Sequence, residues 1–354
     1  MASIRQRLED ALEGKPVTRP VYVVYDAFLP NPDVDWEWLF SLGLGRVNHA
    51  NVVKETRPNC EIVETTRREA GLERRDVTLR SPRGELHEYY LGDSRKGLLP
   101  WRMEHFIKQP SDYRVLAAAL EGTSFEPSDQ AFDASESELG GSGVTIAHVD
   151  RTPFQKIQID YAGMELFAYH LADQEPALRE LLELMNALKL TEFASVAKSR
   201  ARWIKLWENL GVDAVGPVAY RQHIVPVYEA ICRALRGTGK RLMVHYDGRI
   251  RLASDDIARL RLDIDSLTPP PEGDMLIGEA RELWPESFLW LHPSLTLFER
   301  PPEEIGRRIC EMARAAGPRL FCFEISEGIP PRWREGFPAV LRALQGLQDT
   351  LAGL

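Results

Sequence analysis

The sequence lacks the features that mark several classes of protein. Its four cysteines include no Cys-x-x-Cys pair, so neither a disulfide framework nor a thiolate zinc site is predicted. No stretch approaches the roughly 18 uncharged apolar residues of a membrane-spanning helix, and the N-terminus has no signal-peptide core. A net charge of -9 offers no basic field for a phosphate backbone. We therefore expect a cytoplasmic protein that binds neither membranes nor nucleic acid.

The composition is that of an ordinary soluble enzyme. The chain has 354 residues, of which 44% are hydrophobic and 27% are charged, so it can bury a large core. Ser3 and Gln6 form a capping pattern that predicts an N-terminal amphipathic helix ending at Gly14. Short apolar runs then alternate with longer amphipathic stretches, which is the rhythm of repeated βα units and a parallel sheet.

Eight strands can be counted in this rhythm. They are predicted at Val21–Asp26, Val47–Val53, Val144–Asp150, Asp213–Val218, Arg241–Asp247, Leu262–Thr268, Ser287–Pro293 and Arg319–Ser326. This count, with no phosphate-binding glycine fingerprint, favours a single (β/α)8 TIM barrel over residues 1–354. An insertion at about 60–140 should contain a β-hairpin that turns at Ser81–Gly84.

In a barrel of this kind, the active site lies at the C-terminal ends of the strands. Polar or aromatic residues at or near those ends, or in the loops that follow, are therefore the candidates. They are Tyr25, Asp26, His148, Asp150, Tyr220, His245, Tyr246, Asp247, Glu272, His292, Glu324 and Glu327.

His245 and Asp247 are the strongest pair. They are two residues apart on a predicted strand, so their side chains should share one face. A carboxylate against the helix layer would be costly, which places the pair at the mouth of the barrel. With Glu324 and Glu327 nearby, one histidine and two carboxylates could hold a divalent ion. The alternative, a His–Asp pair that only forms a hydrogen bond at a strand end, stays open.

The other candidates have less defined roles. His292 could act as a base or bind a substrate carboxylate, and it could equally form a turn with Pro293. His148 and Asp150 could form a second polar pair in the mouth. Glu272 lies in the proline-rich loop after the sixth predicted strand and is a candidate for substrate binding. Further candidates for substrate binding are Tyr25, Asp26, His148, Tyr220, Tyr246 and Glu324.

Three segments resemble the uroporphyrinogen decarboxylase-like superfamily. They are His245-Tyr246-Asp247-Gly248, Thr268-Pro269-Pro270-Pro271-Glu272-Gly273-Asp274 and Glu327-Gly328-Ile329-Pro330. Weaker similarity, as at Trp101 to Tyr113, extends over most of the chain. The resemblance implies a (β/α)8 barrel in a superfamily that includes porphyrinogen decarboxylases and corrinoid-dependent methyltransferases.

The sequence departs from both groups at their functional positions. The decarboxylases carry an arginine-rich segment after the first strand, but here Tyr25 to Pro32 contains no arginine, which disfavours a tetrapyrrole polycarboxylate. The zinc-dependent methyltransferases use a His-x-Cys pair and a later cysteine. Asp247 stands in place of the first cysteine, and Glu327 in place of the second.

The resemblance therefore implies an enzyme that moves a methyl group from a small methylated substrate to a corrinoid (cobalamin) carried by a partner protein. His245, Asp247 and Glu327 would be catalytic and would bind a divalent metal, with zinc as the first choice. A lyase or decarboxylase of a small acid is the alternative, in which Arg249, Arg251 or His292 binds the carboxylate. A barrel that only binds a ligand is a third interpretation, and a homodimer is an open option.

Overall fold

The computed structural model of the protein describes residues 2–93, 98–325 and 328–347. The chain divides into two compact units. The first unit comprises residues 1–52, 128–150 and 199–354, and the second comprises residues 53–127 and 151–198. The insertion that the sequence predicts at about 60–140 overlaps residues 53–127 of the second unit.

The strands in the described residues are β1 (Tyr22–Tyr25), β2 (Gly45–Ala50), β3 (Val53–Thr56), β4 (Glu61–Glu69), β5 (Leu72–Ser81), β6 (Gly84–Asp93), β7 (Leu98–Glu104), β8 (Ser124–Pro127), β9 (Gly143–Asp150), β10 (Trp203–Leu210), β11 (Arg241–Tyr246), β12 (Asp263–Leu267), β13 (Leu289–Leu291) and β14 (Phe321–Glu324).

The helices are α1 (Ile4–Leu12), α2 (Trp36–Ser41), α3 (Pro110–Leu120), α4 (Gln130–Leu139), α5 (Pro153–Gln155), α6 (Met164–Ala172), α7 (Pro176–Val196), α8 (Val212–Val215), α9 (Pro217–Ala219), α10 (Val225–Leu235), α11 (Ser254–Leu260), α12 (Ile277–Leu283), α13 (Pro302–Ala316) and α14 (Trp333–Gly346). None of the helices in the described ranges is long and apolar enough to span a membrane.

The first unit is a closed barrel of eight parallel strands in the order β1-β14-β13-β12-β11-β10-β9-β2. Closure is made where β1 pairs with β14, with Tyr22 opposite Phe323. The strands are short and almost wholly buried, as expected for a parallel sheet that is covered by helices on its outside. The predicted (β/α)8 TIM barrel is confirmed.

Successive side chains along each barrel strand point alternately toward the surrounding helices and into the lumen. On β14, Phe321 and Phe323 pack outward, and the ring of Phe323 stacks on Tyr22, which in turn contacts Phe337 of α14. Cys322 and Glu324 therefore point into the lumen. Apolar residues thus fill the space between sheet and helices, and polar residues are gathered inside the barrel.

One predicted strand was wrong. Asp213–Val218 forms the short helices α8 and α9, because Gly216 takes a positive φ of 85° and Pro217 begins the next helix. The fourth barrel strand is β10 instead, ten residues earlier at its start. The other seven predicted strands overlap barrel strands of the structure.

The predicted cap at Ser3 and the predicted hairpin are both present in the structure. Ser3 caps α1, its side chain accepting a hydrogen bond from the backbone N–H of Gln6 at 3.1 Å. In the second unit, β4 to β7 form a four-stranded antiparallel sheet. The predicted hairpin is present as β5 and β6, which turn at Ser81–Gly84.

Strands β2 and β9 approach each other closely at Gly143, and a substitution at this position tests that approach. A Cβ atom at this position would lie 1.9 Å from the backbone oxygen of Arg46, which a side-chain movement cannot relieve. Gly143→Ala should lower the free energy of unfolding by roughly 1–3 kcal/mol or more, as overpacking does. Urea unfolding of the purified variant measures the loss.

Gly141→Ala is the matched control, because its nearest neighbour would be the Ser3 Cβ at 3.6 Å, an ordinary contact. Equal stability of the two variants would contradict the close approach of β2 and β9.

Candidate active site in the barrel lumen

Four of the eight histidines lie on four different barrel strands or at their C-terminal ends. They are His49 on β2, His148 on β9, His245 on β11 and His292 directly after β13. The ring centroids of His49 and His148 are 6.1 Å apart, and those of His245 and His292 are 6.4 Å apart. The active site of such a barrel lies at its C-terminal mouth. These two pairs of histidines therefore mark the candidate site.

Asp265, His292 and Glu324 form one compact group in this mouth. Each offers a ligand atom, and these atoms all lie within 4.8 Å of one another. All three side chains are buried, and the Nε2 atom of His292 is 2.9 Å from a carboxylate oxygen of Glu324. One imidazole and two carboxylates are ligands that divalent metals accept, so this buried group could hold a metal.

Asp265 is also the centre of a buried charge network. Its Oδ2 atom lies 2.8 Å from the ammonium of Lys205 and is hydrogen-bonded to Nδ1 of His245. Lys205 is 1% exposed and Asp265 is 2% exposed. Such a pair remains charged inside a barrel only where each charge is compensated by another.

The pKa shifts agree with this arrangement. Burial raises the pKa of Asp265, but Lys205 and His245 outweigh it and hold that pKa well below its usual range. Burial lowers the pKa of His245, and the neighbouring Asp265 only partly offsets it. A neutral His245 therefore donates its Nδ1 hydrogen to an ionised Asp265, and Lys205 supplies the positive charge.

Trp207 joins the two halves of the mouth. Its ring stacks on His245 with centroids 5.0 Å apart, meets His49 edge-on at 5.3 Å, and receives the ammonium of Lys205 at 4.0 Å from its centroid. Tyr25 lies beside this cluster, with its ring 6.3 Å from that of Trp207. The walls are thus aromatic and the floor is charged, which is a common composition for a small-molecule site.

Two strands of the site carry irregularities close to its side chains. In β10 the register shifts between Leu206 and Leu210, and Asn209 has a φ of +50°. In β12 the register shifts between Ile264 and Leu267, and Ser266 has a φ of +68°. Bulges and left-handed residues of this kind are concentrated near functional sites, where they redirect side chains.

Asp26 and His49 form a second polar pair. The carboxylate accepts hydrogen bonds from the backbone N–H of His49 and from its Nδ1 atom, both at 3.0 Å. Burial raises the pKa of Asp26, but the hydrogen bonds from His49 outweigh this and keep the pKa below its ordinary value. The predicted candidates Asp26 and His148 thus lie on the same wall of the mouth.

Of the metal ligands predicted from the sequence, His245 adjoins the compact group and Asp247 does not. Asp247 is exposed and lies outside the compact group, because β11 ends at Tyr246 and the alternation that would have turned Asp247 inward ends with it. The partner of His245 is Asp265, directly opposite it on β12. Glu327, the third predicted ligand, lies outside the described residues.

Two predicted substrate-binding tyrosines also lie elsewhere. Tyr246 is on the face of β11 opposite His245, and Tyr220 begins a π-helical turn, not a loop after a strand. Both are completely buried, and their hydroxyl groups are 3.3 Å apart. They contact each other on the helix-facing side of β11.

The remaining predicted residues are at the rim. Glu272 is exposed and accepts a hydrogen bond from the hydroxyl of Ser294 at 2.5 Å. Arg251, a candidate for binding a carboxylate, is engaged by Glu279 and by the backbone oxygen of Asp274. Arg249 is mostly exposed and near Asp213.

Sequence reasoning did not select Asp265, Lys205, Trp207 or His49. Asp265 sits within a predicted strand, where the spacing of Asp263 and Asp265 repeats the two-residue signal used for His245 and Asp247. Lys205 and Trp207 lie on β10, the barrel strand that the sequence did not predict. A strand whose lumen side carries a lysine shows a weak apolar pattern.

Removal of Lys205 tests the buried charge network. Lys205→Met keeps much of the side-chain volume but leaves the Asp265 carboxylate without its cation, and loss of one partner of a buried pair costs roughly 3–5 kcal/mol. We expect a loss of this size in the free energy of unfolding, measured by urea denaturation with the metal chelated.

Lys15→Met is the control, since Lys15 pairs with Asp10 at 2.7 Å on the surface and its loss should change stability little. If both variants lose the same stability, Lys205 does not neutralise a buried carboxylate.

No protein-family model and no curated protein sequence matches this chain. Among solved structures, a B12-independent methionine synthase from a Shewanella species matches this chain at 11% identity and a TM-score of 0.44. The match covers 90% of this chain and 87% of the synthase. A xylose isomerase domain protein from Planctomyces limnophilus matches at 12% identity and a TM-score of 0.40, over 95% of this chain and 99% of that protein.

A methyltransferase from Methanosarcina mazei gives a higher TM-score, 0.60, at 14% identity over 98% of this chain and 99% of its own. At that identity the likeness shows a shared fold along nearly the whole chain.

Proposed function

We propose that the protein is a metal-dependent methyltransferase of the uroporphyrinogen decarboxylase-like type. It would move a methyl group from a small methylated substrate to a corrinoid held by a partner protein. The buried Asp265, His292 and Glu324 group carries this proposal. The fold shared with a methyltransferase from Methanosarcina mazei supports it, as do the sequence segments around His245 and Gly328.

The donor atoms and charges suit a divalent cation. Asp265 and Glu324 bring two carboxylates into the lumen, and Lys205 supplies one cation within 2.8 Å of Asp265. A divalent ion would offset the remaining negative charge and would take one ligand atom from each of His292, Glu324 and Asp265. Lys205 and His245 already contact Oδ2 and would fix the orientation of this carboxylate, as outer partners of metal ligands do. Zinc accepts such nitrogen and oxygen ligands.

The chemistry follows from this placement. In the proposed reaction the bond between the methyl carbon and its heteroatom would break, and the acceptor, a reduced corrinoid, would supply the electron pair for the new bond to carbon. The heteroatom would keep the electron pair of the broken bond and would take up a proton from water. When bound, the metal would stabilise the negative charge that develops on the heteroatom. Trp207 and Tyr25 would shield the reacting group from water along the aromatic wall.

Metal content tests the first part of the proposal. The purified chain, reconstituted with zinc and freed of excess ion, should retain about one zinc per chain, because three protein ligands and water complete a tetrahedral site. His292→Ala and Glu324→Gln should each lose stoichiometric zinc, measured by inductively coupled plasma mass spectrometry.

Asp247→Asn is the control, since Asp247 is exposed and outside the group. Zinc lost from this variant but kept by Glu324→Gln would return the metal site to the ligands expected from the sequence.

Methyl transfer tests the second part. The zinc-loaded protein should form methylcobalamin from free cob(I)alamin and at least one donor among methanol, methylamines, methoxyarenes and methyl thioethers. The absorbance change should disappear in His292→Ala and persist in Asp247→Asn. No methylcobalamin from any of these donors would contradict methyl transfer to a corrinoid, and release of carbon dioxide from a small acid would favour the lyase alternative.

A further inference from the structure

The Asp26–His49 pair leaves a ring nitrogen without a partner. The side chain of His49 is 8% exposed, and its Nε2 atom is buried with no hydrogen-bond partner in the structure. Its ring contacts Trp207, Tyr25 and His148 on the lumen side of β2. A buried polar atom without a partner needs an explanation, and a binding role is one of the few available.

The hydrogen bonds define which nitrogen carries the hydrogen. An ionised carboxylate only accepts hydrogen bonds, so Nδ1 of His49 must donate to Asp26 Oδ1 at 3.0 Å. When this is the only hydrogen on the ring, Nε2 is a lone-pair acceptor. The carboxylate fixes both the tautomer and the orientation of the ring, as outer partners of functional histidines do.

His148 presents a second such atom on the same wall. Its Nδ1 atom is also buried and has no hydrogen-bond partner, and its ring lies 6.1 Å from that of His49. In the ordinary Nε2–H tautomer this Nδ1 is an acceptor too. Burial, and then the neighbouring His49, lowers the pKa of His148, which favours its neutral form.

We propose that His49 and His148, with Asp26 behind His49, form a hydrogen-bond-accepting centre that binds a hydroxyl or amine hydrogen of a ligand. This centre is separate from the Asp265, His292 and Glu324 group, and Trp207 lies between them, in ring contact with both His49 and His245. The lumen would therefore take a ligand with an uncharged donor group at one end. This inference does not depend on methyl transfer.

The surroundings restrict the ligand further. Lys205 already lies over the rings of Trp207 and Tyr25, so a ligand cation would meet like charge there. The rings of Tyr25 and Trp207 offer flat apolar surfaces to an aromatic or other planar group. Tyr25 is half-buried, and its ring lies 5.8 Å from that of His49, so a ligand reaches Nε2 by displacing this side chain.

Phenol and anisole are suitable probes, because they share a ring and differ in the donor hydrogen. On the full-length chain labelled with ¹⁵N-histidine, NMR should show His49 protonated at Nδ1 and bare at Nε2. Phenol should shift the Nε2 signal saturably and bind roughly fivefold to tenfold more tightly than anisole, the factor expected for one hydrogen bond.

Two variants separate the acceptor from simple packing. His49→Phe keeps a ring but removes the acceptor, and Asp26→Ala should let His49 move its hydrogen to Nε2. Both should abolish the preference for phenol while the zinc content remains that of the unaltered chain. His223→Phe, on a histidine outside this wall, should keep the preference.

Three results would overturn the inference. They are a His49 protonated at Nε2 in the unaltered chain, equal affinities for phenol and anisole, and a preference for phenol that survives in His49→Phe. The tautomer is read on the unaltered chain, so the inference can fail even when a variant does not fold. Zinc binding and methyl transfer can each fail without affecting these readings.

Discussion

Two carboxylates buried in the lumen of the barrel, Asp265 and Glu324, impose the constraint on which the site depends. Each is at most 2% exposed, and an ionised carboxylate removed from water needs a nearby positive charge or several hydrogen bonds. The protein supplies Lys205 and His245 to Asp265, and His292 to Glu324. The ammonium of Lys205 lies over the ring of Trp207. Strand β10 therefore provides both the cation and an aromatic ring beside it.

This constraint explains why the site has two parts. The strands β10 to β14 contribute the charged groups, among which Asp265, His292 and Glu324 could hold a cation. The strands β1, β2 and β9 contribute Asp26, His49 and His148. Here the buried ring nitrogens without a partner, Nε2 of His49 and Nδ1 of His148, have no counter-charge beside them in the described part of the chain. A ligand with a polar group at each end would satisfy both parts, and Trp207 would lie along its middle.

The sequence predicted the barrel well, because seven of its eight strands have apolar runs bounded by turn residues. It missed Trp203–Leu210, where Lys205 and Glu208 point to opposite faces and break the apolar pattern on both. The candidate site was predicted only in part for the same reason. His245, His292 and Glu324 follow from strand ends, whereas Asp265 is selected only when the register of β11 against β12 is known. The wrong partner, Asp247, came from extending β11 by one residue.

Zinc-edge anomalous diffraction from crystals of the zinc-loaded protein tests the central claim most directly. The account predicts a single strong peak in the lumen within about 2.0–2.2 Å of Asp265, His292 and Glu324 ligand atoms. A peak bound through Asp247, or zinc found only on the surface while these three side chains keep their contacts with one another, would contradict it.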